Sequence, residues 1–155
     1  MSTGTETGIR PETAPATSEF GPLYAEVQQF YARQMQLFDS FEAEAWAATF
    51  TADAVFDVPT LPEPVRGRAG LQANVRRNRQ AEEATGDRLR HWIGMLDVRP
   101  APDGTLRTRA YAQVHLTPRG GEPRLYRMCV MEDTLVRAES GWQVARRLVT
   151  RDDLR

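Results

Sequence analysis

The sequence predicts an α+β domain in which helices gathered first pack on one face of an antiparallel sheet gathered last, a cone around an interior pocket. Three observations carry this. Between Leu23 and Ala84 apolar residues recur at helical spacing in three stretches, interrupted by one short strand-like run. From Arg88 onward, runs rich in β-branched and aromatic residues are separated by Asp103-Gly104, Gly120-Gly121 and Ser140-Gly141, the turn chemistry of an antiparallel meander. The 155 residues suffice for one sizeable core and are too few for a large multidomain enzyme. A sheet built this way must bury one face against the helices.

Residues 1–20 are Ser, Thr, Gly, Glu, Pro and Ala with only Ile9 and Phe20 as large apolar side chains, and such a segment cannot offset its ordering entropy. A disordered tail over 1–20 and one domain over 21–155, ordered from near Pro22, are expected. Leu23, Val27, Phe30, Tyr31, Leu37 and Phe38 give an amphipathic first helix that breaks near Asp39-Ser40. Phe41, Ala45, Trp46, Ala48 and Phe50 mark a second. Ala54–Val58 reads as a strand closed by Pro59, and 59–64 as loop. Arg68–Ala84, with Leu71 and Val75, is a third helix stopped by Gly86. Strands are expected at Arg88–Val98, Thr105–Thr117, Pro123–Val136 and Trp142–Thr150.

All 20 basic side chains are arginine, against 21 acidic ones, for a net charge of −1. No basic excess exists for a nucleic-acid partner. No apolar run approaches a membrane span, and the N-terminus lacks the layout of a signal peptide, so a cytosolic protein is expected. The single cysteine, Cys129, cannot form an intrachain disulfide, fits a reducing compartment and sits mid-strand as an inert thiol. Arginine written throughout in place of lysine reads as the codon signature of a GC-rich genome; it also excludes Schiff-base chemistry, since no ε-amine exists.

The sequence holds no phosphate-cradling Gly-rich loop, no Gly-x-Ser-x-Gly elbow and no paired-histidine zinc motif, so neither metal nor cofactor is expected. What remains is a few titratable groups. Asp39 falls where the first helix ends and, on sequence alone, reads first as an N-cap of the next. His91 opens a strand between Arg90 and Trp92. Strand alternation groups His91, Ile93, Met95 and Asp97 on one face, and Leu106 through Leu116 opposite Arg107, Arg109, Tyr111, Gln113 and His115 on the next strand. Met95, Met128 and Met131 on adjacent strands offer an adaptable wall or plain core filling. Arg107, Arg109, Arg127, Arg146 and Arg147 must face solvent or meet a carboxylate or phenolate.

Phe38-Asp39-Ser40, Trp46-Ala-Ala-Thr-Phe50, Ala54-Val-Phe-Asp-Val-Pro59, Arg66-Gly67-Arg68 and the ending Gly141-Trp142-Gln-Val resemble the SnoaL-like branch of the NTF2-like superfamily over residues 22–153. Asp39-Ser40 and Arg90-His91-Trp92-Ile93-Gly94 are similar to the scytalone dehydratase segments that hold an aspartate and the catalytic histidine it orients. A second catalytic histidine has no match, since His115 lies a few residues early; Cys129 and Met131 stand where that family carries Ser and Asn, and a pocket tyrosine is replaced near Val58. These departures speak against scytalone dehydration itself. Tyr24-Ala-Glu-Val, Tyr31-Ala-Arg and Pro118-Arg-Gly-Gly-Glu-Pro-Arg resemble the small NTF2-like proteins of actinomycete aromatic polyketide clusters.

The resemblance implies an NTF2-like cone with Asp39 and His91 as an acid/base pair and with pocket residues Tyr31, Trp46, Phe50, Phe56, Trp92, Tyr111, His115, Arg127 and Met131. It implies cofactor-free proton chemistry (cyclisation, dehydration or isomerisation) on an aromatic polyketide and a homodimer formed through the sheet. The alternative it carries is a non-catalytic protein that binds the intermediate and assists a tailoring flavin monooxygenase.

Overall fold

The computed structural model describes residues 17–155; the first 16, and with them most of the expected tail, lie outside the described residues. The first helix, α1 (Thr17–Asp39), begins ahead of Pro22, which it accommodates within its opening turns. A short α2 (Ala43–Ala47), β1 (Phe50–Asp57) and a two-residue β2 (Val65–Arg66) lead into α3 (Gly67–Thr85). The chain then runs through β3 (Arg88–Pro100), β4 (Leu106–Thr117), β5 (Arg124–Ala138) and β6 (Gly141–Arg151) to a closing 3-10 turn over Asp152–Leu154. No described helix is long and apolar enough to cross a membrane.

The six strands form one sheet in the order β2-β1-β6-β5-β4-β3. β3 to β6 are the antiparallel meander, while β1 joins it in parallel along β6, pairing Val55 with Arg146 and Asp57 with Leu148. The β2 pairing was hidden in the sequence, because two residues after a proline-rich loop carry no strand pattern. α3 stops at Gly86, whose φ of 75° is the left-handed conformation that only glycine takes without steric cost.

Helices cover the concave face. Val27, Trp46, Phe50, Leu71, Val75, Leu135 and Val144 are fully buried between the layers, and the rings of Trp46, Phe50 and Phe56 meet edge to face at centroid distances of 4.7 to 6.1 Å.

Irregularities reset strand alternation in three strands, β3, β5 and β6. Between Gly94 and Asp97 the β3–β4 register shifts, with Met95 at φ 50° and 78% exposed, so Leu96 and Val98 turn to the core in place of Met95 and Asp97. In β5, Val114 pairs with Arg127 but His115 pairs with Leu125, which leaves Tyr126 as the extra residue. Between β5 and β6, Thr134 pairs with Arg146 but Leu135 with Val144, so Ala145 is extra in β6 and Arg147 follows Val144 into the core.

Candidate active site

The site is built where α1 ends. The N–H groups of Phe41 and Glu42 bond to the carbonyls of Phe38 and Leu37, a Schellman closure whose left-handed position is held by Phe41 at φ 60° instead of glycine. That backbone costs roughly 1–2 kcal/mol for a non-glycine residue, and it turns the Phe41 ring into the wall of the central cavity. Asp39, the last helical residue, caps nothing; Glu42 is the N-cap residue of α2. The Asp39 carboxylate crosses to β3 instead, where Oδ2 accepts the His91 backbone N–H at 3.0 Å and Oδ1 lies 2.6 Å from His91 Nδ1.

The Asp39 side chain is 7% exposed and that of His91 21%. A carboxylate at Nδ1 holds the proton on that nitrogen and leaves Nε2 as the free acceptor of the ring. The edge of the Phe38 ring stands against the imidazole at 5.0 Å.

β3 is the edge of the sheet, and its outward N–H groups need partners. Asp39 takes that of His91, and Glu82 of α3 takes that of Leu89. Glu82 is buried and lines the same cavity, and desolvation pushes its carboxyl above the usual range, with the Leu89 N–H pulling the other way. Sequence reasoning missed it. The clue was its place on the stripe Leu71, Val75, Asn78 and Glu82, where polar residues continue an apolar helix face toward the interior.

The cavity encloses about 390 Å³, within the range of small-molecule sites. His91 and Asp39 lie together in its wall with Trp46, Phe56, Arg127 and Met131, all named from the sequence. Phe38, Phe41 and Tyr126, which were not, join them. Its floor on β4 is Ala112 and Val114, small enough to leave the space open.

Five expected pocket residues lie elsewhere. Tyr31 and Phe50 are buried in the core beneath the cavity. Trp92 (69% exposed) and Tyr111 (41%) project from the outer face, because alternation that turns His91 and Ala112 inward turns their neighbours out. His115 shares that outer set, its Nε2 3.1 Å from Gln113 Oε1. Met95 is carried out of the methionine cluster by the β3 bulge. Among the described residues, no three His, Cys, Asp or Glu side chains come together to hold a metal ion.

Beneath the cavity a buried network ties the layers. Arg147, 2% exposed, donates to Asp133 through Nε at 2.9 Å and Nη2 at 2.7 Å, and to Gln34 Oε1 at 2.6 Å. Tyr31 Oη donates to Asp133 Oδ2 at 2.8 Å and lies 2.6 Å from Thr108 Oγ1. Burial works against the Arg147 charge, but Asp133 outweighs it and holds the guanidinium above its ordinary pKa. Burial and then the Asp133 charge push the Tyr31 phenol well up, so both groups keep their protons. Arg109 lies 3.8 Å from Glu132 on the outer face, and Arg107 donates to Thr134 there.

Helices on the concave face of a curved mixed sheet, closing on an interior cavity, define an NTF2-like cone. The chain belongs to the SnoaL-like domain family, which matches residues 22–148. It is similar to Aln2 from a Streptomyces species, with 35% identity over 92% of this chain and 96% of that one and a TM-score of 0.80. ActVI-ORFA from Streptomyces coelicolor is 33% identical over 85% of this chain and 98% of its own, with a TM-score of 0.76. A Catenulispora acidiphila protein solved in complex with S-DNPA is 34% identical over 86% and 96%, with a TM-score of 0.73. No match is found among curated proteins.

Proposed function

We propose that the protein is an acid/base enzyme, needing no cofactor, that acts on an aromatic polyketide intermediate of antibiotic biosynthesis by cyclisation, dehydration or isomerisation in the cavity. The observation that carries this reading is the 2.6 Å contact of Asp39 with His91 Nδ1 in the cavity wall. Nε2 takes the substrate proton, and Asp39 stabilises the imidazolium that forms. The aromatic wall of Phe38, Trp46 and Phe56 suits a flat conjugated ring system. The Catenulispora relative, solved in complex with S-DNPA, supports a small-molecule ligand for this chain. Exposed Trp92, Met95 and Tyr111 support a homodimer formed through the outer sheet face.

The test is conversion of candidate quinone or pyran polyketide intermediates by purified protein alone. His91→Asn and Asp39→Asn each lower kcat by roughly 10²- to 10⁴-fold, the usual worth of a positioned acid/base group. Activity that appears only with a flavin monooxygenase, and survives His91→Asn, refutes proton transfer and establishes the auxiliary role.

A further inference from the structure

We infer that Arg127 is a carboxylate anchor, and that the molecule taken into the cavity is a flat, fused-ring aromatic acid lying across β4 with its carboxylate at Arg127 and its reacting carbon at His91. The second half rests on the proposed function; the anchor does not.

The first observation is an unpaired donor. Arg127 Nε is buried and has no hydrogen-bond partner among the described residues, although the side chain lines the cavity. A buried guanidinium N–H without an acceptor is costly, and a ligand oxygen removes that cost. No carboxylate of the described residues forms an ion pair with Arg127. Asp153, whose charge it feels, already has both oxygens on Arg151, at 3.0 and 2.5 Å.

The guanidinium is nevertheless held in place. It stacks over the Tyr126 ring at 4.7 Å, and Nη2 donates to Tyr126 Oη at 3.2 Å. The extra residue in β5 puts Tyr126 there, so the bulge that broke alternation supplies the platform. An arginine oriented by an aromatic face, with Nε and the remaining N–H groups free, matches a carboxylate in a way a point charge does not.

The second observation is register. His91 pairs with Val114, and Val114 pairs with Arg127, so the three form one row across the concave face. Two strand spacings separate His91 from Arg127, about 10 Å between backbones. Val114 and Ala112 keep the floor between them low. A fused bicyclic or tricyclic ring suits a floor of that width.

Charge fixes the direction. Asp39 and Glu82 sit beside His91 and repel an anion, while Arg127 and Arg151 line the far wall. An aromatic acid therefore enters one way round, which places the same carbon at His91 in every molecule bound.

The experiment is calorimetric titration of the full chain with 2-naphthylacetic acid and with its uncharged isostere 2-naphthylacetamide, at neutral pH. Wild type binds the acid about tenfold more tightly, equivalent to about 1.4 kcal/mol. Arg127→Gln brings the two ligands within about twofold by weakening the acid alone, the signature of one lost charge-assisted contact. Arg109→Gln, on the outer face, keeps the full preference. Equal affinity in wild type, or a preference that persists in Arg127→Gln, overturns the anchor while leaving proton transfer standing. Absence of binding by either ligand overturns the anchor and the fused-ring acid, and leaves proton transfer to the turnover assay with polyketide intermediates.

Discussion

Replacing Arg147 by Met isolates the energetics of the buried network, because Met fills the arginine stem's space and removes only the charge and its donors. Three hydrogen bonds are lost, two to Asp133 and one to Gln34. Asp133, whose side chain is 0% exposed, keeps a single side-chain donor, Tyr31, among the described residues. Removing one member of a buried ion pair costs about 3–5 kcal/mol, since the survivor stays desolvated and uncompensated. Against a typical total stability of about 5–15 kcal/mol that is a large fraction. At roughly 2–4 °C per kcal/mol for a chain of this size, Tm falls by about 6–20 °C. The companion is the double replacement Arg147→Met/Asp133→Leu, which removes both charges and regains at least about 2 kcal/mol over the single variant. Urea unfolding followed by circular dichroism measures both. A single variant within about 1 kcal/mol of wild type, or a double variant no more stable than the single, refutes the assignment of Arg147 and Asp133 as a mutually dependent pair.

Two further predictions concern the helix that frames the site. Glu82 has a folded pKa raised by burial, so the folded state holds its proton more tightly than the unfolded state, and its contribution falls as pH rises through the folded value. Glu82→Gln, which still accepts the Leu89 N–H, therefore raises Tm over wild type at pH 7 to 8, and the gain disappears toward pH 4; a gain independent of pH contradicts the sign. Gly86→Ala places a side chain at φ 75° and lowers stability by about 1–2 kcal/mol, read as a shift in the urea midpoint with unchanged slope.

The order of elements was legible because helices and strands differ in period, and the turn glycines punctuate the second half of the chain. Asp39 and His91 were legible only through resemblance: 52 residues apart, neither carries a local pattern that announces the other. What failed in the sequence was facing. Simple alternation holds for Ala110, Ala112 and Val114, where it selects the inward set directly. It fails after Gly94 and around Tyr126, because one inserted residue reverses every side chain beyond it and leaves the composition unchanged. Tyr31 and Phe50 were misplaced for another reason, since an apolar stripe shows which helix or strand side turns inward but not whether it meets a cavity or another side chain. Glu82 looked like one more charge on a charged helix until its neighbours on the stripe were counted.

The parallel seam between β1 and β6 bears on how the molecule is made. It joins Phe50–Asp57 to a strand about ninety residues later, so closing it spans a long loop of chain. Such non-local pairing slows folding, since loop entropy is surrendered before contacts reward it. Arg147 lies on that late strand, while Tyr31, Thr108 and Asp133 precede it. Asp133 is therefore synthesised before its cation, and because the two face each other on the antiparallel β5–β6 hairpin, the pair can close with that hairpin ahead of the parallel seam.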